Sequence, residues 1–201
     1  MDNTLLFITS NNNKVSTIKR LLGECPIVIE ASNLNIMEPQ LDSSLEIASY
    51  KAKKAFEVMR KPLLVEDSSF YVNALDGFPG PYLNYVIRKL QPQGLLNLMN
   101  GKSDRSCYFM SVAVLVPASG EQLVFSGDPE EGYLSDGVST VSNGFGWSPI
   151  SKIFVPKGYK NSLSELSTDE IKQLDKQERN TSALSKVAIW LENNYPTLFN
   201  K

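Results

Sequence analysis

With 201 residues, of which 42% are hydrophobic and 21% charged, the chain is long and apolar enough to bury one sizeable core, read as a single domain over 1–201 with room for two lobes. Its 20 Lys and Arg stand against 22 Asp and Glu, a net charge of −2 that excludes the broad basic surface a nucleic-acid polymer needs. Histidine is absent, so Ser-His-Asp and Cys-His catalysis and His-ligated zinc are ruled out; any chemistry falls to carboxylates, lysines, hydroxyls or a hard metal ion.

In chain order, "NTLLFITS" (3–10) reads as a buried strand, and "NNKVSTIKRLLGE" carries Val15, Ile18, Leu21 and Leu22 on one helical face with Gly23 as stop signal. The opening apolar run is too short and wrongly flanked for a signal peptide, and no stretch approaches the roughly 18 to 20 apolar residues of a membrane span. An intracellular, cytoplasmic protein without a membrane partner is the expectation. "CPIVIEA" (25–31) predicts a second strand, and Ser43 with Glu46 a capping box before a helix that Pro62 closes. "LLVED" (63–67) then predicts a strand ending at Glu66 and Asp67. A helix over 82–90 should break near Pro92 and resume as "GLLNLMN". "CYFMSVAVLV" (107–116), "EQLVFSG", "DPEEGYLS" and "KIFVPKG" predict further strands, and the tail two helices, the first entered through a Ser167/Glu170 box. The β-α-β-α-β opening with continuous apolar strands argues for an α/β fold, a mixed central sheet flanked by helices, whose ligands favour strand ends. Cys25 and Cys107 lack metal-ligand spacing and read as buried, reduced thiols.

Three stretches could carry chemistry. In "TSNNNK" (9–14), where a strand passes into a helix N-terminus, the hydroxyls of Thr9 and Ser10, the amide of Asn11 and the Lys14 ammonium suit an anion; an Asn-rich helix cap is the plainer reading. The adjacent carboxylates Glu66 and Asp67 need a lysine or a metal ion if buried. With Glu38 in the loop before the second helix they resemble an Mg²⁺ donor set, one or two carboxylates completed by substrate phosphates and water; a surface acidic turn is the alternative. "DGFPGPYLNY" (76–85) fixes a stiff turn beside a strand, suited to a substrate loop or to a plain connection.

"FITSNNNKVSTIKRLLG", "LLVEDSSFYVNALDGFPGPYLNYVIRKLQPQGLLNLMNG" and "GFGWSPI" together resemble the inosine triphosphate pyrophosphatase family. The likeness runs in order over most of the chain and is densest over 63–101. It implies two lobes with a substrate cleft between them, a homodimer, and Mg²⁺-dependent hydrolysis, with Mn²⁺ able to substitute, of ITP, dITP or XTP to monophosphate and pyrophosphate. It implies Thr9, Ser10, Asn11 and Lys14 at the phosphates with Lys51 and Ser68 nearby. Glu38 and Asp67 fall on the metal, with Asp67, Lys14 and Glu38 catalytic. Phe145, Gly146, Trp147 and Ser148 fall at the base, where Phe145 and Trp147 would stack.

Two departures follow. The family's Asp after the "GFGW" or "GFGY" run is Ser148 here, and its Ser-His-Arg signature is absent from 174–180, where Asp175, Lys176 and Gln177 fall. Lys176 or Arg179 are the candidate replacements. Three readings therefore stand: a pyrophosphatase for these purine nucleotides, one retuned to another base, and a non-catalytic nucleotide binder.

Overall fold

The computed structural model describes residues 3–144, 148–178 and 180–200. Strand β1 (Thr4–Ile8) leads into helix α1 (Asn12–Leu22), then β2 (Val28–Ser32), α2 (Ser44–Met59) and β3 (Leu63–Val72). These are followed by β4 (Pro79–Gly80), α3 (Leu83–Leu98), β5 (Ser106–Val116), β6 (Leu123–Ser126), β7 (Glu130–Leu134), β8 (Phe154–Pro156), α4 (Thr168–Glu178) and α5 (Ala183–Leu198). The fold is the expected mixed α/β one. Its hydrogen-bonded strand order is β2-β1-β3-β5-β7-β8, with β4 beside β3 and β6 beside β5.

The chain divides into two compact units. The first comprises Met1–Asp67, Ser111–Asp128 and Arg179–Lys201. There β1 pairs parallel with β2 from Thr4↔Val28 to Ile8↔Ser32, and with β3 at Leu6↔Leu63 and Phe7↔Leu64. This sheet is apolar on both faces, because helices cover it on each side. One core cluster joins Leu5, Phe7, Ile18 and Leu22 to Leu184, Val187 and Leu191 of α5; a second joins Leu6, Ile8 and Val65 to Ala48, Ala52 and Ala55 of α2.

Small residues on the buried face of α2 let that helix lie close to the strands, and this fixes where its other residues, Lys51 among them, emerge. The helix ends at Met59 on a left-handed Arg60, whose N–H bonds Phe56 O, before Pro62 is reached. Strand β2 starts at Val28, later than expected, because Pro26 has no N–H to pair and Ile27 bonds back to Cys25.

The second unit comprises Ser68–Met110 and Pro129–Glu178. Its core gathers Phe70, Val72, Leu83, Ile87, Leu95, Phe109, Ile153 and Phe154, with Phe70 and Phe109 rings 4.6 Å apart. The predicted break in α3 is present: Gln91 leaves helical geometry (φ 58, ψ 168) immediately before Pro92. Ser167 and Glu170 form their box at the start of α4, with the Ser167 N–H donating to the Glu170 carboxylate at 2.8 Å. Neither cysteine is bonded; Cys107 is buried, but Cys25 is only half-buried, against the expectation for both.

One expectation is overturned where it matters. The strand does not end at Asp67: β3 runs on for five residues to Val72. Phe70 and Val72 are fully buried, and Phe70↔Gly80 and Tyr71↔Pro79 pair the extension with β4. The two carboxylates therefore lie inside a strand, whose alternation turns them to opposite faces.

Candidate active site

The first unit assembles its polar cluster from four places in the chain. Thr9 follows β1, tied to the end of β2 by its N–H to Ser32 O at 3.1 Å. Its Oγ1 accepts the Asn11 N–H at 3.0 Å, so the hydroxyl hydrogen is left to donate elsewhere. Asn11 is the N-cap of α1, its Oδ1 accepting from Asn13 N (2.9 Å) and Lys14 N (3.4 Å). The cap occupies the amide oxygen and leaves the Nδ2 hydrogens available to donate. The helix-cap reading of this stretch and the anion reading are thus compatible, since the same cap arrays donors at the positive end of a helix dipole. Ser10 beside them is exposed.

Lys14, in the first turn of α1, reaches β3. Its ammonium contacts the carboxylate of Glu66 and lies 3.5 Å from the Glu66 carbonyl oxygen. Glu66 is only 6% exposed, and an ionised carboxylate at that depth requires a cation or several donors. Lys51 of α2 meets Glu38, from the irregular stretch before that helix, with Nζ 2.6 Å from Oε1. Asp67, half-buried, stands in the field of all four. Burial raises its carboxyl to about 6, with Glu66 and Glu38 adding to the rise and Lys14 and Lys51 opposing it. A carboxylate with that pKa can take and release a proton near neutrality.

The structure therefore brings together Thr9, Asn11, Lys14, Glu38, Lys51, Glu66 and Asp67. Nothing in the sequence links Lys14 to Glu66, 52 residues away, or Lys51 to Glu38, 13 away; folding alone makes these pairs. The groups of the cluster able to ligate a cation offer oxygen, the chemistry of a hard divalent ion. Among the described residues no three His, Cys, Asp or Glu side chains are grouped to hold an ion. Two carboxylates, Glu38 and Asp67, with phosphate oxygens and water completing the shell, is the pattern Mg²⁺ favours, so these residues fit that ion.

Ser68, Ser148 and Lys176 belong to the second unit. Ser68 continues β3 and is half-buried. Ser148 is buried and precedes the short 3₁₀ turn Pro149–Lys152. Beside it is a cavity of about 630 Å³ lined by Gln91, Gln93, Ser142, Ser148, Ser151 and Lys152 among others. Lys176 is exposed in the last turn of α4. Phe145, Gly146, Trp147 and Arg179 lie outside the described residues.

Residues 5–187 match the model of the Ham1 family. A dITP/XTP pyrophosphatase of Methanopyrus kandleri is 34% identical over 190 residues, covering 94% of this chain and 97% of that protein. An inosine triphosphate pyrophosphatase of Ajellomyces capsulatus is also 34% identical, over 198 residues and 96% and 99% of the two chains. In fold, a HAM1 protein from Coxiella burnetii superposes with a TM-score of 0.78 at 23% identity, covering 94% of this chain and 98% of that one.

Proposed function

The chain belongs to the Ham1 family, and from that premise we propose that it hydrolyses non-standard purine nucleoside triphosphates, ITP, dITP and XTP, to the monophosphate and pyrophosphate. The observation that carries the reading is the placement of Asp67, a carboxylate with its pKa raised to about 6, among Lys14, Lys51, Glu66 and Glu38. Lys14 and Lys51 oppose the charge of the triphosphate, while Thr9 O–H and the Asn11 amide donate to phosphate oxygens. Glu38 and Asp67 would hold Mg²⁺, or Mn²⁺ in its place, which supplies neutralisation of phosphate charge as a Lewis acid. In a site without histidine the base is a carboxylate, and Asp67 is placed to accept the proton of the attacking water directly or to position a water held by the cation. Roles for Ser10 and Ser68 at the phosphates rest on the sequence resemblance alone. A homodimer, a cytoplasmic place of action, and base contacts from Phe145, Gly146, Trp147, Ser148 and Lys176 complete the proposal and rest on the sequence resemblance.

A second reading has its own observation. A buried serine, Ser148, stands where the resemblance calls for an aspartate, and a hydroxyl offers a different hydrogen-bond pattern to a base edge. Such a site would favour another base. Pyrophosphate release from purified protein with Mg²⁺ over ITP, dITP, XTP and the four standard triphosphates decides between them. The first reading expects preference for the first three, and Asp67→Asn to lower kcat by about 10² or more. Preference for a standard or modified base supports the second, and release unaffected by Asp67→Asn sinks the assignment of the base.

A further inference from the structure

Lys51 and Glu38 form an ion pair in which one partner is held and the other is not. Lys51 projects from α2, whose Ile47, Ala48, Ala52 and Ala55 are packed into the core, and its side chain is only 16% exposed. Glu38 comes from the irregular stretch between β2 and α2, and its side chain is 58% exposed. The two act with opposite sign on Asp67, so both belong to the electrostatic environment of that carboxylate.

A divalent cation entering at Glu38 and Asp67 would meet the Lys51 ammonium, already 2.6 Å from a Glu38 oxygen. Like charges a few ångströms apart repel strongly at protein dielectrics. No third carboxylate is placed to ligate the ion among the described residues, and Glu66 is already engaged by Lys14, so little offsets the repulsion. An arriving phosphate changes the balance, because it offers Lys51 an anion in exchange for Glu38 and supplies the cation with oxygen ligands.

We propose that Lys51 stands in for the divalent cation at Glu38, so that the bare cation is excluded and cation and phosphate enter together, with Lys51 passing from Glu38 to phosphate as Glu38 passes to the cation. The inference rests on the reading of Glu38 and Asp67 as cation ligands. It makes Lys51 a coupling residue: the same side chain weakens binding of the cation alone and strengthens binding of the cation–phosphate complex.

Mn²⁺ binding to the purified protein is read by electron paramagnetic resonance of the free ion, and binding of preformed Mn²⁺–pyrophosphate by calorimetry. Lys51→Met, which keeps an apolar stem in the half-buried position, is expected to bind bare Mn²⁺ about tenfold more tightly than wild type and Mn²⁺–pyrophosphate about tenfold more weakly, the order expected for one displaced or lost unit charge. Lys51→Arg, which keeps the charge, is expected to behave as wild type toward bare Mn²⁺ and serves if the methionine variant fails to fold. Loss or constancy of both affinities in Lys51→Met is what a merely structural lysine would show, and overturns the proposal, as does tighter bare Mn²⁺ binding in Lys51→Arg. Glu38→Gln separates the two levels. If it weakens Mn²⁺ binding while Lys51→Met does not tighten it, the coupling alone is wrong; if it changes nothing, the assignment of Glu38 as a ligand falls and the coupling with it.

Discussion

At the scale of single residues, burial makes the charged form of Asp67 unfavourable in the folded protein. Its carboxyl, raised from 3.8 to about 6 chiefly by burial, favours the protonated form in the folded protein. Stability from this group is therefore complete below about pH 4 and is lost as pH rises through 6. In metal-free protein, Asp67→Asn should raise stability at pH 8 by about 1–2 kcal/mol, less than a fully desolvated carboxylate would give because the group is part-solvated. Near pH 4 the gain should vanish. Urea melts of both proteins at the two pH values measure this, and equal stability at pH 8 would contradict the electrostatic picture. A variant more stable yet inactive is the pattern of a residue kept for chemistry at a cost to folding. Glu66, read from the sequence together with Asp67 as needing a lysine or a metal ion if buried, proves to be the buried partner of Lys14; the apolar run before it was the legible sign.

At the scale of elements, α1 joins stability to the site through one cap. Asn11 Oδ1 accepts two backbone N–H groups at the start of the helix, and losing such a cap costs about 1 kcal/mol. Asn11→Ala should lower Tm by roughly 2–4 °C and also raise KM for the triphosphate, since it removes the Nδ2 donors. Asn11→Asp should restore the cap and hence Tm but not KM, because it has no donors and adds a negative charge facing phosphate. Calorimetry and steady-state kinetics on the two variants test whether the functions separate; recovery of KM by the aspartate would refute the donor role.

Helices like this were legible because their signals are local. Val15, Ile18, Leu21 and Leu22 keep helical spacing, Ser43 and Ser167 sit before the first turns of α2 and α4, and Pro92 marks the break in α3. The end of β3 was not legible. The pair Glu66–Asp67 looks like a terminus in any local window, while burial of Phe70 and Val72 and pairing with β4 carry the strand onward.

At the scale of the whole molecule, the first unit is made of three separate stretches of chain, and the last of them completes its core. Helix α5 contributes Leu184, Val187, Leu191 and Leu198 to the cluster containing Leu5, Phe7 and Ile18. At about 1.5–3 kcal/mol for each buried aliphatic side chain, these four are worth about 6–12 kcal/mol, comparable to the entire ~5–15 kcal/mol margin of a folded domain. A chain truncated before Ala183 should fail to fold, with lost near-ultraviolet dichroism and strong binding of a hydrophobic dye. A cooperative native-like melt would show that α5 is dispensable.

By itself the sequence determined the α/β order of elements, the exclusion of histidine chemistry, and the family, because composition, periodicity and motif order are properties of the chain read locally. Only the tertiary structure decided which lysine meets which carboxylate, that β3 passes through the acidic pair, and that Asp67 titrates near 6. Those depend on burial and on contacts between residues far apart in sequence, where desolvation and Coulomb energy are set by three-dimensional neighbours.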